Sequence, residues 1–148
     1  MTTQQGQHTS HAAKLAAISL AVEDFEDASS ALLALKKEDK LLARDVALKI
    51  LREQIGDVFY RAHAFEVLYA VALNDAVAYI ASDAGTESPY VVGAMIESVT
   101  EDAGALESRD EILEAVLLLR KALVLRSSED LGSLAAQIAR FDEAYRSQ

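Results

Sequence analysis

The chain has no cysteine and no tryptophan, and only one proline and six glycines in 148 residues. Without cysteine there are no disulfides, no thiolate metal ligands and no cysteine nucleophile, a profile that fits a reducing compartment. So few turn formers disfavour a strand-rich fold, which needs frequent tight turns. Basic residues are also short, with 14 Lys and Arg against 24 Asp and Glu for a net charge of −10. That balance opposes binding to nucleic-acid phosphates and to anionic membranes. Long hydrophobic runs are missing as well: AVLLL (115–119) falls far short of the roughly 20 residues that span a bilayer. The opening residues, MTTQQGQHTSH, have no apolar stretch and do not read as a secretory signal. The expectation is a soluble, cytoplasmic protein.

What is present is apolar and helical. Hydrophobic residues make up 51% of the chain, enough at this length for one sizeable core. A polar, disordered tail is expected over 1–8 and a single all-α domain over 9–148. Start and stop signals divide that domain into about eight helices. They lie near 9–22, 24–37 and 39–54, then after the cap Asp57, after Asn74, after Ser88-Pro89, at SRDE (108–111) and at SSED (127–130). Ser88 and Pro89 suit an N-cap and a first turn, and Ser108 with Glu111 has capping-box spacing. The short links predict antiparallel neighbours, paired into four hairpins.

The stretch DVFYRAHAFEVLYAV (57–71), wound at ~100° per residue, gathers Tyr60, Ala64, Val67, Leu68 and Val71 on a core side. Arg61 lies at its margin, and Phe59, His63, Glu66 and Ala70 gather opposite, flanked by Tyr69. A helix apolar nearly all round is expected between neighbours, and ILEAVLLLRKALVL (112–125) reads the same way. The last helix has one stripe, Leu131, Leu134, Ile138, Phe141 and Tyr145, with Gln137, Arg140 and Glu143 on its polar side. Shifting by 31 residues sets Asp57 on Ser88, Phe59 on Tyr90, Ala64 on Met95, Phe65 on Ile96, Glu66 on Glu97 and Leu68 on Val99. A period near 31 with two helices per unit is what an α-solenoid or α-α superhelix shows. Stacked in that register, Phe59, His63 and Glu66 would join Tyr90, Glu97, Glu101 and Asp102 in one aromatic and acidic strip.

YRAHAFEVL (60–68) and ARDVALKIL (43–51), each an Arg followed by small and apolar positions, resemble the helices of HEAT-like repeats. The resemblance covers roughly Leu41 to Asp102 and implies a short HEAT-like solenoid that binds partners on its stacked helices. In size, acidity and helical pattern the chain also resembles the immunity proteins that accompany bacterial polymorphic toxins.

Catalytic chemistry finds little support. His63 and Glu66 lie three apart, within hydrogen-bond reach on one helix face, which reads as a surface charge pair. Carboxylate-bridged metal sites in bundles want Glu-x-x-His twice; here the order is reversed and occurs once. His8 and His11 fall in the polar tail. Serine-hydrolase and glycine-rich phosphate-loop signatures are absent, and Tyr60, Tyr69, Tyr79 and Tyr90 read as core or interface residues. The expectation is therefore no enzyme, no metal and no cofactor, and a protein partner with a basic surface, such as a toxin. Between Asp83 and Glu114 nine acids face one base, Arg109. That segment is either a solvated surface or the patch that attracts such a partner. An adaptor or a homodimer through Phe59 and Tyr90 is the alternative.

Overall fold

The computed structural model describes residues 3–146, with side chains from residue 11 onward. Among the described residues there are nine helices and no strand: α1 Thr3–Ala21, α2 Phe25–Glu38, α3 Lys40–Arg52, α4 Val58–Val71, α5 Leu73–Asp83, α6 Pro89–Glu101, α7 Arg109–Val124, α8 Ser128–Ser133 and α9 Ala135–Ala144. The all-α expectation is met. None of these helices is long and apolar enough to cross a membrane. Helix α1 begins at Thr3, inside the stretch 1–8 expected as a tail, and Met1 and Thr2 lie outside the described residues. The helices gather into two compact units, 1–71 and 72–148.

In the first unit α2 packs against α1, α3 and α4, and the sequential hairpins α1/α2 and α3/α4 are its main pairings. Asp39 makes the α2–α3 corner alone. Its N–H donates to the Leu35 carbonyl at the end of α2, and its carboxylate accepts from Leu42 N–H at the start of α3. The core is built from Ala28, Leu32 and Leu35 of α2, Ala47 and Ile50 of α3, and Tyr60, Ala64 and Leu68 of α4. Small residues at Ala28, Ala47 and Ala64 let the helices approach closely while the large side chains fill the space between.

Tyr60 is the polar centre of this core. It is fully buried, and its hydroxyl donates to the Ser19 carbonyl at 2.6 Å. Ser19 lies in the last turn of α1, where carbonyls have no partner within the helix. The Ala28 carbonyl of α2 stands 3.5 Å from the same hydroxyl, and the Phe25 ring meets Tyr60 edge-on at 5.9 Å. Gly56, at φ +79°, lies directly beneath: a Cβ there would stand 2.8 Å from Tyr60 Cδ2. Glycine is required both by the left-handed backbone and by that approach.

In the second unit the packing order differs from sequential hairpins. Helix α5 pairs chiefly with α7, and α6 with α9. A buried polar cluster accompanies this arrangement. The Arg126 guanidinium, just past α7, donates to the carbonyls of Ala84 and Glu87 in the α5–α6 link and pairs with Asp130 of α8 at 3.2 Å. Glu87 is buried in the same link, accepting from the Tyr79 hydroxyl and from Ser88 N–H at 2.8 Å. The link 84–88 is thereby held to the end of α7. At the other end, the buried Tyr145 hydroxyl donates to the Val99 carbonyl in the last turn of α6, and Arg120 donates to the Tyr145 carbonyl at 2.6 Å while lying over the Phe141 ring.

The helix expected from 127 to the C-terminus is divided at Leu134 into α8 and α9. Its expected stripe is kept: Leu134, Phe141 and Tyr145 are buried, and Leu131 and Ile138 half-buried. Gln137, expected on the polar side, instead faces α6, where a Cβ on Gly93 would stand 3.2 Å from Gln137 Nε2. Of the two caps aligned by the 31-residue shift, Asp57 accepts from Tyr60 N–H at 2.9 Å and Ser88 from Tyr90 N–H at 3.3 Å. The capping box at Ser108 is not formed, because Ser108 sits at φ +56° and its side chain makes no cap bond. Asp57→Ala should therefore lower stability by about 1 kcal/mol, whereas Ser108→Ala should stay within about 0.5 kcal/mol of the parent, both read from urea unfolding.

Burial pushes the Tyr60 pKa up from 10.0 to about 12, against a smaller opposite pull from its bond to Ser19. The folded state thus holds this proton more tightly than the unfolded chain. The resulting stability is fully present below pH 10 and is lost as pH rises toward 12, an effect on the order of 2 kcal/mol. Thermal melts from neutral pH upward should show Tm falling beyond pH 10, and Tyr60→Phe, less stable at neutral pH, should show a shallower alkaline fall.

Candidate functional site

The residues proposed to meet a partner divide between the units. Phe59, His63 and Glu66 lie on α4 in the first; Tyr90, Glu97 and Glu101 lie on α6 in the second, with Asp102 as its C-cap. Each group is described within its own unit.

On α4 the core side is Tyr60, Ala64, Val67 and Leu68, as the winding predicts, together with Phe65, which is fully buried although the winding left it off that side. Val71 is only half-buried. The opposite side is open: Phe59 is 52% exposed, and Glu66 and Ala70 are exposed. An aromatic ring and a carboxylate thus stand on one helical surface. His63 is mostly buried between them, its ring centroid 6.4 Å from that of Tyr60. Its Nδ1 lies 3.9 Å from Glu66 Oε1, the i, i+3 charge pair that their spacing suggests, too long for a hydrogen bond. At that distance the two interact by charge when the imidazole is protonated, without a shared proton. An i, i+3 pair reaches this separation when each side chain follows its own rotamer, the imidazole inward and the carboxylate outward.

On α6 the register of 31 residues is matched by burial. Met95, Ile96 and Val99 are fully buried like Ala64, Phe65 and Leu68, and Tyr90, at 57% exposed, matches Phe59. Glu97 is half-buried and pairs with Arg140 of α9 at 3.4 Å; Glu101 is exposed. Asp102 is half-buried beside Tyr145, whose pKa is raised by burial first and then by the Asp102 charge, with Arg109 pulling the other way.

Charge is split unevenly between the units. The first has ten acids and eight bases, the second fourteen acids and six bases, so −8 of the −10 belongs to the second. Of the nine acids between Asp83 and Glu114, only Glu87 is buried; the others are exposed or half-exposed, concentrated where α6 ends and α7 begins. This unit presents carboxylates in number and can attract a cationic surface over a Debye length of about 8–10 Å.

Sequence reasoning missed two features. The Arg126–Glu87–Tyr79 cluster joins residues up to 47 positions apart without a motif. In the first unit a groove of about 650 Å³ runs between α1 and α2, lined by Leu15, Ile18, Asp24, Asp27 and Ser30 among others and by none of the residues singled out from the sequence. Among the described residues no three His, Asp or Glu gather as metal ligands. His11 pairs with Glu38 of α2 at 3.2 Å, and the side chain of His8 lies outside the described residues. No family model, no curated protein and no solved structure matches the chain.

Because Phe59 and Tyr90 are half out of their cores, Phe59→Ser and Tyr90→Ser should each change unfolding free energy by less than about 1 kcal/mol. Phe65→Ser, buried, should cost about 3 kcal/mol or more. Chemical denaturation of the three variants checks the contrast.

Proposed function

We propose that the chain is a non-catalytic, protein-binding helical module whose acidic surface takes a basic partner, in the manner of an immunity protein that neutralises a toxin. The observation that supports this reading is the concentration of charge: −8 on a unit of 77 residues, carried by carboxylates at the surface. Glu101, Glu107, Asp110 and Glu114 are exposed, and Glu97 and Asp102 flank them half-exposed. Such a surface steers a basic protein into encounter and raises the association rate steeply at low salt. Tyr90 on α6 and Phe59 on α4 supply exposed aromatic anchors of the kind that dominate interface energies, and His63 and Glu66 accompany Phe59. A HEAT-like stacking of helices, a bacterial origin and a cytoplasmic setting belong to the same proposal.

The exposure of Phe59 and Tyr90 equally favours a second reading, an adaptor or homo-oligomeric scaffold that buries these rings without needing charge. Salt separates the two. The product of a neighbouring reading frame, if it is the toxin, should lose its toxicity when co-expressed with the chain. Glu97→Lys/Glu101→Lys, shown by circular dichroism to be folded, should associate with it about tenfold or more slowly at low salt. Equal rates and affinities for parent and double variant would sink the acidic-surface reading, while binding insensitive to salt but lost in Tyr90→Ser would favour the scaffold.

A further inference from the structure

Helix α7 is buried on one side and bare on the other. Ile112, Ala115, Val116, Leu119 and Leu123 face the core of the second unit. On the outer side Leu117 is 65% exposed, Val124 81% and Leu125, just past the helix, 78%. This corrects the expectation that α7 lies between neighbours. The outer stripe reads Asp110, Glu114, Leu117, Lys121, Val124, every member exposed. Two of its five members, Leu117 and Val124, are aliphatic, and Leu125 adjoins them, while the other three are charged. Leu117 on the stripe, with Val124 and Leu125 at the end of the helix, leaves aliphatic surface in water that marks an association surface.

We propose that this face pairs with the same face of a second copy, the two α7 helices running antiparallel about a two-fold axis near Leu117. The order of charges along the stripe selects this occupant and this orientation. Acids occupy its first half and Lys121 its second. Parallel pairing would set Glu114 on Glu114 and Lys121 on Lys121. An antiparallel two-fold midway between these positions sets Lys121 of each copy against Glu114 of the other, twice, with the Leu117 side chains flanking the axis and covering each other, while Val124 and Leu125 lie at the rim beside Glu111 and Asp110 of the other copy. It also opposes the two helix dipoles. The same patch serves both copies, as an isologous interface requires. A 16-residue helix is about 24 Å long, and one helix face buries less than the ~1,200 Å² of a standard interface. The dimer is therefore weak and exchanges rapidly. This inference does not depend on a basic partner.

Sedimentation of the full chain from about 10 µM to about 1 mM, the range a small interface populates, should show its average mass rising toward twice the monomer. Leu117→Glu, at an exposed site and with an unchanged melt, should stay monomeric. Lys121→Glu and Glu114→Lys should each weaken self-association about tenfold, since symmetry counts each repulsion twice. The two single variants mixed together should associate as well as the parent, because every pair across the axis is again of opposite sign. A chain that stays monomeric throughout overturns the proposal, and so does association that survives Leu117→Glu. Failure of the mixed variants to associate overturns the antiparallel pairing.

Discussion

The constraint on which both units depend is the open end of a helix inside a core. The last four carbonyls of an α-helix have no partner within it, and a buried carbonyl left unpaired costs about 1–3 kcal/mol. In each unit a tyrosine meets that demand. Tyr60 of α4 reaches the Ser19 carbonyl at the end of α1, and Tyr145, just past α9, reaches the Val99 carbonyl at the end of α6. The ring supplies apolar area to the core while the hydroxyl ends on the carbonyl, so one side chain meets two needs. The raised Tyr60 pKa follows from the same burial. Gly56 completes the device, since a side chain there would displace the ring that the bond requires.

A second constraint decides how the second unit packs. Arg126 carries a permanent charge, and its side chain is almost fully buried. A buried guanidinium is tolerated when carbonyls and a carboxylate surround it, and here they come from Ala84, Glu87 and Asp130. The first two belong to the α5–α6 link, so the terminal guanidinium nitrogens keep these partners while that link lies against the end of α7. Sequential hairpins would put α6 beside α5. The observed pairing of α5 with α7 keeps the Arg126 donors on the link.

Local chemistry was legible in the sequence, and neighbours were not. Asp57 and Ser88 cap their helices because an N-cap is decided within four residues. The 31-residue shift aligned residues that share burial, because a helix winds with the same period wherever it lies. Ser108 defeated the same logic: its backbone turns left-handed at φ +56°, and a hydroxyl in that geometry cannot reach the N–H groups of α7. Phe65 and Leu117 show the larger limit. Both are apolar residues beyond the main stripe of an apolar helix, yet Phe65 is fully buried and Leu117 mostly exposed. Winding says which residues share a face, and only packing says whether that face has a neighbour. The candidate site inherits this limit. Its members could be named helix by helix, but the burial of His63 and the pairing of Glu97 with Arg140 depend on residues that no local pattern specifies.

The division of charge follows the division of the chain. A unit with ten acids and eight bases is close to balance, and its surface pairs, such as Lys49 with Glu53, sit four apart on one helix. A unit at −8 repels itself, which opposes compactness. Two of its six bases serve the interior: Arg126 is turned inward and Arg120 is spent on a carbonyl and a ring. Glu87 is withdrawn with Arg126, so the exterior keeps the net acidity of the unit. A basic partner, or the Lys121 of a second copy, would meet carboxylates that the fold has left in excess.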